Sequence, residues 1–190
     1  MERWRRIEPE VREELVKSDI ELIPRNLPEI LAKIHTGETA DGKGIFLIGT
    51  TGTGKTRRIE WASENFEIPM ADAITLSLQL AEVRRDSDRM EVLNLVPPRF
   101  SEMPRHVCDL IIDDLGTEEE TYNVYGTQRH LMTEAIIARY KYFPRWKTHF
   151  TSNLTKDQIR ARYGERIWSR LNEMVVFVNL TGKDRRLGKR

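Results

Sequence analysis

The chain has 190 residues, 39% hydrophobic and 32% charged, with a formal net charge of +1. That length suits one domain of ordinary size around a single layered core and leaves little room for a second. The near-neutral balance gives the chain as a whole no case for nucleic acid, the lone Cys108 excludes an intramolecular disulfide or a zinc site built on several cysteines, and no apolar run approaches the roughly 20 residues that span a bilayer. The start, Met1-Glu2-Arg3-Trp4-Arg5-Arg6, lacks the apolar core of a signal peptide, so a cytoplasmic protein is expected.

Residues 1–43 read as a short helical N-terminal arm. Val11 and Leu15 share one helical face, and Pro28 opens a second helix that Gly37 closes. The pattern then changes. Gly44-Ile45-Phe46-Leu47-Ile48 is a continuous apolar run that suits a buried parallel strand, and a helix is predicted from Lys55 to about Phe66. A strand over 68–73 and a helix over 74–85 follow. The proline-interrupted stretch from Asp86 to Arg105 has no clear pattern. Val107 to Ile112 is a second apolar run, closed by Asp113-Asp114. Gln128 to Tyr142 reads as a helix, with Leu131, Ala135 and Ala138 or Met132, Ile136 and Tyr140 inward. A strand over Lys147–Phe150, helices over Thr155–Tyr163 and Glu165–Asn172, and a last strand over Met174–Val178 complete the order. Strands alternating with helices predict an α/β fold, three layers deep around a central parallel sheet.

The strongest motif is Gly49-Thr50-Thr51-Gly52-Thr53-Gly54-Lys55-Thr56, which fits G-x-x-x-x-G-K-[ST] at every fixed position. Glycines let backbone N–H groups close on phosphate oxygens, the following helix presents its positive end, Lys55 adds a full charge, and the Thr56 hydroxyl suits Mg²⁺. ATP and Mg²⁺ are the expected ligands. Leu110-Ile111-Ile112-Asp113-Asp114 delivers carboxylates to the edge of a parallel sheet where ligands bind. Asp113 is read as a Mg²⁺ ligand, and Asp114 as the group that positions or activates water. Asn153, in Thr151-Ser152-Asn153, suits either a hydrogen bond to the attacking water or γ-phosphate, or a helix cap. Arg166 and Arg170, four apart, suit either a charge offered to a neighbour's phosphate or surface ion pairs.

The end of the chain is basic, with ten Lys/Arg against four acids from Leu154 to Arg190. His35, His106, His130 and His149 have no metal-ligand spacing. Trp4, Trp61, Trp146 and Trp168 suit packing, although Trp146 lies in the basic, aromatic Tyr140–Lys147 stretch, which also suits stacking on nucleic acid.

Together with Leu115-Gly116-Thr117-Glu118, Tyr125-Gly126, Arg139-Tyr140, Leu154, Tyr163-Gly164-Glu165-Arg166-Ile167, Ser169-Arg170-Leu171 and Gly182-Lys183-Asp184, these pieces resemble the DnaC/IstB branch of the AAA+ ATPases, the bacterial and phage helicase loaders and transposition helpers. The likeness runs from about Gly44 to Arg186 and implies an AAA+ type P-loop ATPase domain over 44–190. It implies a first sensor at Asn153, an arginine finger at Arg170 with Arg166 as the alternative, and a second sensor at Arg186, although Arg185 stands where the family has an aromatic residue. It also implies a Mg-dependent ATPase that is slow unless oligomerised, ATP-dependent homo-oligomers, single-stranded DNA and a replicative helicase as partners, and no membrane. The arm is shorter than a typical loader's partner-binding domain, and no separate helical lid is expected. Two other readings share the phosphate loop: a transposase helper, distinguished by its protein partner, and a small-molecule kinase, which has no use for Asn153 and Arg170. A module that uses ATP only as a switch would not gain turnover with protein concentration.

Overall fold

The computed structural model describes residues 42–95 and 108–180. The expected arm, Arg186, Gly182-Lys183-Asp184, His35, His106 and Trp4 lie outside the described residues.

The apolar run Gly44–Ile48 forms β1, buried at every position because it is covered on both faces. Its alternating side chains feed two cores. Ile45 and Leu47 join Ile59 and Ala62 of helix α1 (Lys55–Phe66), with Ile111 and Val178. Phe46 and Ile48 face a larger cluster with Phe150 and Phe177. That cluster takes in Leu76 and Leu80 of α2 (Ala73–Glu82), Leu131, Met132, Ala135 and Ile136 of α4 (Leu131–Tyr140), Ile159 of α5 (Lys156–Tyr163) and Ile167, Leu171 and Met174 of α6 (Glu165–Met174). Helices thus cover both sides of the sheet, giving three α/β/α layers.

Five parallel strands run in the order β2 (Met70–Asp72), β3 (Leu110–Asp113), β6 (Thr148–Ser152), β1, β7 (Val175–Asn179). Register brings Ile48 level with Ser152 and Asn179, and Asp72 level with Asp113, so the strand ends share one edge.

Several expectations shift. The helix expected from Gln128 begins at Leu131, because Tyr122–Val124 (β4) and Thr127–Arg129 (β5) pair as a hairpin. Its two-residue turn, Tyr125-Gly126, has φ of 51° and 82°, the left-handed pair that matches strand twist in tight hairpins. β2 is shorter than expected, because the Asp72 side chain accepts from Thr75 N–H at 2.9 Å and starts α2 there. A short helix, α3 (Asp86–Val92), opens the stretch that had no clear pattern. β6 extends to Ser152, which places Thr151 inside a strand. Trp146 is buried and stacked on Tyr142, so a stacking role on nucleic acid is replaced by a packing one. His149 is buried too, its Nδ1 accepting from Ile45 N–H. No described helix is long and apolar enough to cross a membrane.

The inward face of α4 ends on Arg139, which is fully buried, where the sequence pattern favours Ala138 or Tyr140. Its guanidinium donates to the carbonyls of Leu93, Cys108 and Lys147 at 3.0, 2.8 and 2.6 Å and to Thr148 Oγ1 at 2.8 Å. Asp109 is buried close by, accepting from Lys147 N–H at 2.7 Å. Burial pushes its carboxyl up to about 6, against that hydrogen bond and the charges of Lys147 and Arg139. The folded protein therefore holds this proton more tightly than the unfolded chain. The stability it contributes is present below about pH 4 and is lost as pH rises through about 6. In Asp109→Asn the titration is gone. The wild type is expected to gain on this variant by about 2–3 kcal/mol between about pH 7 and about pH 4 in urea unfolding. Parallel pH profiles would show an unshifted carboxyl.

Candidate nucleotide site

The residues from Gly49 to Gly54 turn the chain from the end of β1 into α1. Gly49 is pressed against the chain leaving β7: a Cβ there would stand 2.4 Å from the Leu180 carbonyl oxygen. Gly54, the residue before α1, has φ of 82°, which costs a residue with a Cβ dearly. Thr53 is buried and its hydroxyl closes on the Thr50 carbonyl at 2.9 Å, while Arg58 braces the loop by donating to the Thr53 and Gly54 carbonyls at 2.7 and 3.0 Å. Thr50 and Thr51 form the exposed crest, and Gly52 lies behind them.

Lys55 is 4% exposed. Its ammonium donates to the carbonyls of Gly49 and Thr50 at 2.7 and 3.0 Å and to Asn153 Oδ1 at 2.6 Å. Asn153 stands just beyond β6, and its amide nitrogen donates to Asp114 Oδ1 at 3.2 Å. One carboxamide thus joins the loop lysine to the end of a different strand. The capping role weighed for Asn153 belongs to Thr155, whose hydroxyl accepts from Gln158 N–H while the Gln158 side chain accepts from Thr155 N–H.

The two aspartates part ways. Asp113, the last residue of β3, is buried, and the Thr56 hydroxyl lies 3.4 Å from its Oδ1. Thr151 donates its hydroxyl proton to that same oxygen at 2.5 Å. The Thr151 oxygen in turn accepts from Asp114 N–H at 2.9 Å. Asp114 lies past the strand with φ of 52°, so strand alternation, the expected guide to its direction, does not set it. Thr151 therefore fixes both acids. A sequence gives no sign of this, since it depends on β6 lying beside β3.

Parallel strands with helices on both faces, and a glycine-rich turn from the first strand into a helix whose first residue is lysine, decide the class. The fold is P-loop NTPase-like. No family model matches the chain, and no curated protein matches it. Among solved structures, the P-loop NTPase-like chain is similar to the ORC1 protein of Aeropyrum pernix in complex with DNA, at 15% identity and a TM-score of 0.44, over 90% of this chain and 49% of that one. It is also similar to NtrX from Brucella abortus in complex with ADP, at 14% identity and a TM-score of 0.38, over 90% of this chain and 40% of that one. The chain therefore spans about half or less of the length of these two structures.

The residues present fit a magnesium nucleotide. An ammonium among carbonyl and amide oxygens suits a phosphate tail, and a hydroxyl beside a carboxylate gives the hard oxygen donors that Mg²⁺ takes. The loop, Lys55, Thr56, Asp113, Asp114 and Asn153 converge on one sheet edge. The arginines of α6 do not join them. Among the described residues neither Arg166 nor Arg170 hydrogen-bonds to the loop or to the two acids. Arg166 is exposed, and Arg170 lies 5.1 Å over the Tyr140 ring with its Nη1 buried and unpaired.

Proposed function

We propose that this chain binds Mg·ATP on the Gly49–Thr56 loop and hydrolyses it. The observation that supports this best is the Asn153 bridge, 2.6 Å from the Lys55 ammonium and 3.2 Å from Asp114. It links the group that would meet the phosphates to the group that would meet water, and a purely structural lysine has no need of it. Thr56 and Asp113 would hold Mg²⁺, which supplies charge neutralisation at the phosphates when bound. Asp114 would orient the attacking water, and Asn153 would hold Asp114 and Lys55 in register. Titration of Mg·ATP by calorimetry, paired with phosphate release, tests the reading. Well-folded protein that shows no heat of binding would end it.

The resemblance to the DnaC/IstB branch supports a finer reading: an AAA+ ATPase domain over 44–190 that acts in the cytoplasm in DNA replication as a helicase loader. It would assemble with itself around ATP and hold single-stranded DNA, with the 1–43 arm and Arg186 as further parts. A transposase helper of the same branch differs in its protein partner, which co-purification in ATP would identify. Arg170, with Arg166 as the alternative, would complete a neighbour's site. Arg170→Ala is then expected to keep Mg·ATP affinity within about threefold and to lose turnover on the order of a thousandfold. Mixing it with Asp113→Ala protein should restore part of the turnover, because each variant supplies what the other lacks. No recovery with either arginine variant would make each subunit self-sufficient.

A further inference from the structure

Glu118 opens a run of three glutamates that reads as solvated surface. Glu119 and Glu120 are exposed, but Glu118 is 4% exposed. A buried carboxylate is costly unless its oxygens are met. Here the Glu118 carboxylate accepts from Gly116 N–H at 2.8 Å and from the Tyr163 hydroxyl, and Arg162 lies 3.5 Å from its Oε1. Arg162 also donates to the Glu118 backbone carbonyl. Burial, then the charge of Glu118, pushes the Tyr163 phenol well above its usual range, so it stays a donor at any working pH.

What this cluster holds is the loop that carries Asp114. The left-handed backbone at Asp114, with φ of 52°, is strained by about 1–3 kcal/mol for a residue with a side chain and persists only where its surroundings over-determine it. Leu115 N–H donates to the Thr151 carbonyl at 2.8 Å, and the Thr117 hydroxyl donates to the Asp114 carbonyl at 2.8 Å. Gly116, with φ of 99°, lies so close under Leu154 that a Cβ would stand 2.4 Å from Leu154 Cδ1. Glu118 then ties the far end of the loop to Arg162 and Tyr163, the last turn of α5. The first turn of α5 is capped by Thr155, two residues after Asn153. A closed ring results. It runs from Asp114 through its loop to Glu118, across to Tyr163, back along α5 to Asn153, and over the 3.2 Å hydrogen bond to Asp114 again.

We propose that Glu118 is a positioning residue that sets Asp114 and Asn153 at the hydrolytic site by closing this ring. The inference rests on the ATPase reading above. Glu118 touches none of the phosphate loop, so its loss should be felt at the water side of the site and not at the nucleotide.

The test uses the full chain, with Mg·ATP affinity from calorimetry and turnover from phosphate release. Glu118→Ala is expected to lower kcat by about tenfold to a hundredfold and to leave the dissociation constant within about threefold. Glu118→Gln keeps one acceptor oxygen, for Gly116 N–H, and its amide N–H can donate to the Tyr163 hydroxyl oxygen, so kcat should return to within about threefold of the wild type. In an Asp114→Asn background the same Glu118→Ala change should cost less than about twofold more, because residues that act as one unit are not additive. Tyr163→Phe, which removes one donor only, carries the same comparison if Glu118→Ala does not fold. An unchanged kcat, a loss of Mg·ATP affinity in step with kcat, or a full second loss in the Asp114→Asn background would overturn the proposal. A wild type that turns over ATP while the Glu118 variants are neutral sinks this inference alone. A wild type that binds Mg·ATP without any turnover sinks the hydrolytic reading with it.

Discussion

Lys55→Ala is expected to bind Mg·ATP at least about a hundredfold more weakly than the wild type, a loss of about 3 kcal/mol or more. The reason lies in where its charge sits, since Arg58, the other cation at the turn, is taken up by the Thr53 and Gly54 carbonyls. The ammonium is 4% exposed and is held by two loop carbonyls and the Asn153 amide oxygen, so its charge is aimed into the turn and shielded from water. A phosphate tail entering the loop would trade one set of oxygens for another around a charge already in place. Without it, the anion meets backbone dipoles and an Arg58 already turned to loop carbonyls, and three oxygens that the lysine satisfies are left without it. Removing the lysine therefore also loosens the loop itself, by about 1–3 kcal/mol. Calorimetry and thermal unfolding on the same material separate the two effects. Affinity within about threefold of the wild type, in a variant that folds, would place the nucleotide elsewhere.

Arg139→Ala is expected to destabilise the fold by about 4 kcal/mol or more. Four carbonyls and one hydroxyl converge on this guanidinium, with Asn94 O at 3.3 Å beside the four partners described above. They come from the turn after α3, from the residues ahead of β3 and from the start of β6. Truncation strands buried acceptors, leaves a void where the largest fully buried side chain was, and takes a cation from beside Asp109. Burial lowers the Arg139 pKa to about 10, with the Asp109 charge opposing, so the group remains charged at neutral pH. Arg139→Lys should recover less than half of the loss, since an ammonium cannot span acceptors arranged around a planar fork. Urea unfolding followed by circular dichroism gives the comparison. An unchanged midpoint for Arg139→Ala would show that the convergence is incidental.

These two residues mark what a sequence does and does not disclose. The turn that carries Lys55 is legible because its motif is contiguous, and each residue type in it answers a local need of backbone or charge. Asp113 and Asp114 were legible for a similar reason, as acids that end an apolar run. Arg139 was hidden because helical periodicity takes charged positions as outward, whereas three separate segments deliver oxygens to it. Thr151 and Glu118 were hidden for the same cause: one acts through a neighbouring strand, the other through a helix some 45 residues away by chain. Gln128 and Arg129 of the β4–β5 hairpin fall inside the helix that the pattern predicts, because the hairpin's strands are three residues each, too short for a period of two to declare itself. For Asn153 the sequence leaves two roles open; Thr155 takes the cap, and a contact to water or γ-phosphate stays a proposal beside the observed bridge to Lys55 and Asp114.

The neighbours of β1 in the sheet have a consequence for biosynthesis. Both arrive late: β6 and β7 flank it, and the lysine that follows it meets Asn153 from 98 residues further along. While the ribosome is still making α4, the glycine-rich turn has already emerged but has neither wall, so only its own Thr53 and Arg58 hydrogen bonds shape it for a ligand. A nascent chain should thus stay blind to cellular ATP until almost the last strand is out, and prematurely terminated products should be unable to sequester nucleotide.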